Sequence, residues 1–347
     1  MAPFWILFLI PALATLMPGR LPTRQAAWVW FAVGVLFSVL MGFRHEVGAD
    51  WFNYLPQFQE AASLTIAEVV AKPDPGYYLL NWLVAYSGAD IYWVNFLCAS
   101  VLMWGTLVFC RRQPNPWLAL VAAVPYMLIV VGMGYTRQSA ALGFVLVGLA
   151  ALGAGRARTF VVWVVIGALF HKSAVLLLPI AALAGSRNRL LTGILVLAVT
   201  VLMYYLLVEE SVEALWTNYV DADMQSQGAA IRVAMNAVPA VILFLARRRL
   251  APQLQERKLW LWIAFFSLAC IPLLGLASTA VDRVALYLLP LQLFVFSRLP
   301  RLAGTTRTRT PLVLAIVGCY AAVQFVWLNY AAHAQYWVPY QFVPFGR

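Results

Sequence analysis

Residues 117–155 read WLALVAAVPYMLIVVGMG-YTRQ-SAALGFVLVGLAALGAG. Two apolar runs, 117–134 and 139–155, flank Tyr135-Thr136-Arg137-Gln138, and Arg137 is the one charge in the whole stretch. Each run is about as long as a helix needs to be to cross ~30 Å of hydrocarbon. Lipid offers backbone groups no hydrogen-bond partners, so such runs must satisfy their own N–H and C=O groups by folding as helices. The stretch therefore reads as helix, short polar junction, helix.

The same grammar recurs on either side. Further apolar runs lie near 3–18, 26–43, 91–109, 190–208, 230–246, 259–276, 284–297 and 311–328. Two shorter runs, 159–170 and 174–185, are split by His171-Lys172-Ser173. They read either as short helices meeting at the membrane surface or as a re-entrant hairpin. Counting that pair as two, the expected fold is all-α and polytopic, with about 12 crossings in a single domain over residues 1–347. Composition agrees. The 347 residues are 63% hydrophobic and 11% charged, against about a quarter charged in soluble domains, and mean hydropathy is +0.82. The run from Phe4 to Met17 has no basic segment before it and reads as a retained span, not a cleaved leader. Cys98, Cys110, Cys270 and Cys319 form no CxxC pair and read as small apolar residues.

The formal net charge of +11 does not indicate nucleic acid, because the cations are spread through short loops between apolar runs. With Arg20 and Arg24 placed in the cytoplasm, the alternation puts Arg111, Arg112, Arg156, Arg158, Arg187, Arg189, Arg247, Arg248, Arg249, Arg257, Lys258, Arg298, Arg301, Arg307 and Arg309 there too. That is 17 of the 24 Lys and Arg, with Glu256 the one acid among them. Cytoplasmic loops carry such an excess, and one wrong parity would scatter it. A crossing at 76–86 would break the pattern, so that apolar segment is expected to lie at, or dip into, the outer leaflet. The outer face then holds a loop over 44–90, an acidic loop over 209–229 and the tail from Asn329 onward.

Several outer positions have the residue types for chemistry. Arg44, His45, Glu46, Asp50 and Tyr54 open the first outer loop. An Arg beside an Asp can bind phosphate while the carboxylate accepts a proton; it can equally be a solvated local pair. Arg137 is either snorkelling to headgroups or facing a cavity. A break carrying His171 and Lys172 among apolar residues is costly unless used, and His171 can serve as base or donor. Asp282-Arg283 sits at another outer junction, with a structural or a functional role open to it. Convergence of Arg44, Arg137, Lys172 and Arg283 would suit a diphosphate. No His pair has metal-ligand spacing, and no P-loop, GxGxxG or GxSxG is present, so no metal and no cofactor are expected.

Taken in order, these motifs resemble the EpsG family. The matching residues are Arg44 with Val47-Gly48, Asp50, Tyr54 and Phe58; Asp74-Pro75-Gly76-Tyr77 with Leu79-Leu80; Tyr135-Thr136-Arg137-Gln138; Phe170-His171-Lys172-Ser173-Ala174; Asp282-Arg283 with Tyr287; and Trp337-Val338-Pro339-Tyr340. His45-Glu46, between Arg44 and Val47, and the acidic loop match no motif. The resemblance implies a Wzy-type polymerase with a GT-C-like fold, a multi-pass glycosyltransferase of the bacterial inner membrane with its active site facing the periplasm. It would join undecaprenyl-pyrophosphate-linked oligosaccharides into O-antigen, capsule or exopolysaccharide. By resemblance Asp50 or His171 is the base. Arg44, Arg137 and Arg283 contact the pyrophosphate, and Tyr54, Gln138, Lys172, Asp282 and Tyr340 complete the substrate-binding set, to which His45 is added for its place beside Arg44 and not by resemblance. Its partners would be the lipid-linked donor and acceptor, membrane lipids, and a flippase and chain-length regulator of the same pathway. The rival readings are a flippase for the same lipids, an acyltransferase using His171, and a scaffold subunit. A flippase needs polar residues near the midplane, whereas here they collect at one face.

Overall fold

The computed structural model describes residues 1–17, 22–184, 189–203 and 229–343. The acidic stretch 209–228 lies outside them, as do the end of the apolar run 190–208 and Arg20 and Arg187. The described chain is almost all helical, as expected. Seven of its helices are long and apolar enough to cross a membrane. In chain order the helices are α1 (Ala2–Leu16), α2 (Thr23–Gly42), α3 (Trp51–Ser63), α4 (Ile66–Val70), α5 (Pro75–Tyr86), α6 (Ile91–Cys110), α7 (Pro116–Gly134), α8 (Thr136–Gly153), α9 (Ala157–Phe170), α10 (Lys172–Leu183), α11 (Arg189–Met203), α12 (Ala229–Leu250), α13 (Leu254–Leu288), α14 (Pro290–Arg298) and α15 (Thr306–Tyr330).

Close helix approach is bought with glycine. A Cβ on Gly105 of α6 would stand 2.0 Å from the Gly143 carbonyl oxygen of α8, and one on Gly143 would stand 2.4 Å from the Val101 oxygen. Membrane helices pack by such backbone proximity, because apolar side chains gain nothing by leaving equally apolar lipid. Within α7 the turns widen to π spacing over Val124–Val131, where Pro125 removes a backbone donor. The Trp337 indole N–H from the C-terminal segment donates to the Ile129 carbonyl there at 3.1 Å.

Contacts sort the loops into two ends. At one end Arg298 forms a two-pronged pair with Glu256, at 2.7 and 2.8 Å, and also donates to the Leu250 carbonyl and the Gln113 side chain. Arg112 donates to the Ala150 carbonyl at the same end. These are the loops that the charge count grouped together. At the other end the chain leaves α2, enters α6, breaks at Tyr135 and breaks again at His171, whose extended backbone (φ −156°, ψ 113°) ends α9.

The helical assignment runs unbroken through α13, where two runs, 259–276 and 284–297, were expected. The chain still doubles back. Trp260 stacks on Phe294 at 4.3 Å, whereas a straight helix would carry residues 260 and 288 about 42 Å apart. Asn236 of α12 donates to the Ala285 carbonyl and accepts from Gln292, so the return leg runs beside α12 towards Arg298. The chain therefore reverses within the helical span of α13, and Asp282 lies on the return leg beside Arg232 of α12.

Helices α3, α4 and α5 form a cap at the end opposite Arg298. The segment 76–86 is helical as expected. Phe52, Ile66, Val70, Leu83 and Tyr86 stand exposed on this cap, while Tyr54, Tyr77 and Val84 are buried beneath it. One buried edge and one exposed apolar edge suit a helix lying at a lipid–water boundary.

Candidate functional site

Under the cap, three elements deliver polar side chains to one place. Asp74 precedes α5, Arg137 opens α8, and His171 and Lys172 form the break after α9. Asp74 is 2% exposed. Its Oδ2 accepts from Arg137 Nη1 at 2.8 Å, and its Oδ1 accepts from the Lys172 backbone N–H at 3.2 Å. His171 Nδ1 lies 3.7 Å from Oδ2, too far for a hydrogen bond. Burial alone would raise the Asp74 pKa, but His171, Arg137 and the Lys172 N–H outweigh it and hold the carboxyl below its ordinary range. Burial lowers the His171 pKa, with the Asp74 carboxylate partly offsetting it, so the ring is neutral at physiological pH.

Arg137 is boxed by two aromatic rings. Its guanidinium carbon lies 5.9 Å from the Tyr54 ring centre and 5.9 Å from that of Tyr77, a cation–π arrangement. Its side chain keeps 31% exposure, so the group is held without being sealed. Asp50 shares this field. Burial raises its pKa, while the charges of Arg137 and Arg283, the Asn53 side chain and His171 pull it down by less. Gln138 donates to the Arg283 carbonyl at 3.2 Å, and Ser173 donates to the Tyr287 hydroxyl at 3.2 Å. Asp50, Tyr54, Arg137, Gln138, His171, Lys172 and Arg283 are thus neighbours.

The other expected site residues are placed differently. Arg44 is 1% exposed. Its guanidinium donates to the Val47 carbonyl (3.0 Å), the Met41 carbonyl (2.6 Å) and Thr136 Oγ1 (2.9 Å). Burial pushes its pKa down to about 10, so it remains charged at neutral pH. It braces the loop that carries Asp50 and lies behind the cluster. His45 shares a 2.7 Å hydrogen bond with the Tyr92 hydroxyl. Residues 44–45 pair antiparallel with Gln341–Phe342, which ties the first outer loop to the C-terminal segment. Tyr340 donates to the Leu40 carbonyl and packs edge-on against Phe4. Asp282 is buried in an ion pair with Arg232 of α12, which also donates to the Tyr126 hydroxyl. Among the described residues no three His, Cys, Asp or Glu side chains gather into a group able to hold a metal ion.

Residues 27–342 match the model of the EpsG family. The chain belongs to the EpsG family. This is a family of Wzy-like polysaccharide polymerases, so the chain is a multi-pass membrane protein with a polymerase, glycosyltransferase-like role. Nothing among curated proteins or solved structures matches it.

For this EpsG chain, sequence reasoning passed over two residues. Asp74 was read only as part of a motif, and Arg232 not at all. Arg232 had a signal, being a lone charge inside the apolar run 230–246. Asp74 stands in the matched motif Asp74-Pro75-Gly76-Tyr77, and its contact with Arg137, 63 residues away, has no local signature.

Proposed function

We propose that this EpsG-family chain is a membrane glycosyltransferase that polymerises polyprenyl-pyrophosphate-linked oligosaccharide repeats on the extracytoplasmic face of the bacterial inner membrane. The observation that carries the reading is the gathering of Asp50, Arg137, His171, Lys172 and Arg283 under an amphipathic cap, at the end away from the arginine-rich loops. Cations held at one end of a helical bundle suit the diphosphate of a lipid-anchored donor, whose tail stays in the leaflet while its sugars face water. The neighbouring carboxylate and imidazole suit proton removal from an acceptor hydroxyl.

In this reading Arg137, Lys172 and Arg283 receive the pyrophosphate. Asp50 is the base. Its pKa is raised by burial, and among the described residues no cation pairs with it at 4.0 Å or less, whereas Asp74 is spent on Arg137. The neutral His171 ring orients the acceptor hydroxyl. The acceptor oxygen forms a bond to the donor anomeric carbon, the bond from that carbon to the pyrophosphate oxygen breaks, and polyprenyl pyrophosphate leaves with the electron pair. Asp50 takes the hydroxyl proton. Arg44 and Tyr340 shape this site from behind.

The test is the glycan of a deletion strain, together with purified protein given lipid-linked repeats. Loss of long chains with single repeats still displayed outside, and chain growth in vitro that survives a chelator, support the reading. Repeats stranded on the cytoplasmic side would replace it with a flippase. Activity lost to the chelator and restored by a divalent ion would replace it with a metal-dependent transferase.

A further inference from the structure

One carboxylate at the site is left unused by its own helix. Asp74 occupies the N-cap position of α5, yet its side chain makes no capping bond there. An Asp at that position ordinarily accepts from the first N–H groups of its helix. Other polar caps in this chain do so: Asp90 accepts from Tyr92 N–H at α6, Thr65 from Glu68 N–H at α4, and Asn115 from Leu118 N–H at α7. Asp74 instead turns to three groups from two other elements: Arg137 of α8, and His171 and the Lys172 N–H at the break after α9.

Those contacts have consequences for what stays available. With Nη1 held by Asp74 and the guanidinium placed between Tyr54 and Tyr77, the orientation of the Arg137 fork is fixed, and its remaining donors are directed by that fit. Among the described residues His171 Nδ1 has no hydrogen-bond partner, and it faces the carboxylate. A proton on Nδ1 is favoured there, which leaves Nε2 as an acceptor. One carboxylate thus sets both the group suited to a diphosphate and the group suited to an acceptor hydroxyl.

We propose that Asp74 is the positioning residue of this site, orienting Arg137 towards the pyrophosphate and His171 towards the acceptor. The inference rests on the glycosyl-transfer reading for the identity of both substrates. The plain alternative is a buried ion pair that merely staples the cap to α8. The two differ in what Glu can rescue. A staple needs a charge within reach of Arg137, and Glu keeps that charge. A positioning residue needs the carboxylate at one fixed distance, and Glu is one methylene longer.

The experiment uses the full chain in lipid nanodiscs with inorganic pyrophosphate as the probe, and purified lipid-linked repeats for kcat and KM. Asp74→Asn removes a charge-assisted contact, so pyrophosphate affinity in the folded fraction should fall about tenfold or more. Asp74→Glu should recover folded yield while leaving affinity low and KM raised. Arg137→Lys should weaken binding similarly, and the double variant Asp74→Asn/Arg137→Lys should be less than additive, because both act through one contact. Glu60→Gln, on the cap surface, is the control and should match the parent protein. Wild-type affinity and wild-type KM in Asp74→Glu would overturn the proposal, and that variant decides the matter should Asp74→Asn fail to fold. A parent protein that polymerises repeats without binding pyrophosphate overturns the positioning role while leaving polymerisation in place. A folded parent protein that neither binds nor polymerises sinks the glycosyl-transfer reading and takes this inference with it.

Discussion

Replacing Arg44 with Lys separates two roles that sequence alone cannot. The guanidinium makes three hydrogen bonds to the chain, to Val47 O, Met41 O and Thr136 Oγ1, and the residue is 1% exposed. Lys has one ammonium on a flexible stem and cannot span three acceptors that a planar fork reaches together. If it keeps one, two bonds to a charged group are lost, each worth about 1.5–3 kcal/mol, for a total of about 3–6 kcal/mol. Against typical net stabilities of about 5–15 kcal/mol, that is a large loss. Arg44→Lys in nanodiscs should therefore unfold at a clearly lower temperature. Its folded fraction should bind inorganic pyrophosphate as the parent does, because the guanidinium lies behind the cluster. Arg137→Lys should show the reverse, near-normal unfolding and weak binding. An Arg44→Lys protein with the parent's midpoint but lost pyrophosphate binding would refute this assignment and put Arg44 in contact with the diphosphate.

Three further outcomes are expected. Asp50→Asn should abolish long-chain polymer at normal protein level. In the parent protein, activity should fall on acidification at a pH above the ordinary carboxylate value of about 3.9, because a base must be ionised and burial has raised the Asp50 pKa; an acid limb at or below that value removes Asp50 as base. Cysteines placed at Arg24 and Arg301 should resist an impermeant thiol reagent in intact cells, while one at Glu46 should react; efficient labelling of Arg24→Cys from outside inverts the orientation. Gly48→Ala should lower both stability and activity. Gly48 has φ of +108°, and a Cβ there would stand 2.2 Å from the Met133 carbonyl oxygen, so about 1–2 kcal/mol of left-handed strain adds to a backbone clash beside Asp50. An alanine variant indistinguishable from the parent in melting and turnover would show that this loop does not hold Asp50 in place.

The fold was legible because lipid leaves a helical chain few choices. Apolar runs of spanning length must be helical, and the cation count sorts their ends. The loops that this count grouped do meet, as Arg298 with Glu256 and Arg112 with Ala150. Charge counting also kept residues 76–86 out of the set of spans, and α5 is a 12-residue helix of the cap. What it could not resolve was how the chain turns. Asp282 lies on the return leg of α13, where its contact with Arg232 and those of Ala285 and Gln292 with Asn236 set it beside α12.

The site was half legible, and the reason lies in what each acid does with its helix. Asp50 and Asp74 both stand at N-caps, of α3 and α5, and neither side chain caps. Asp50, six residues from Arg44, was legible as a candidate base, whereas Asp74 stood only inside a matched motif. The fold adds that Asp74 is turned off its own helix to Arg137 and the Lys172 N–H, while Asp50 keeps a side-chain bond to Asn53 of α3 and lies within the field of Arg137 and His171. Giving up a cap costs about 1 kcal/mol, and burying a carboxylate costs more unless a cation meets it. Asp74 recovers that cost through Arg137 and the Lys172 N–H. Asp50 recovers part of it through the charges of Arg137 and Arg283 and a side-chain bond to Asn53, and burial still outweighs them. Two neighbouring carboxylates in one field are thereby driven apart, one held ionised and the other pushed towards neutrality. In the proposed reading that division makes Asp50 the base and leaves Asp74 to orient Arg137.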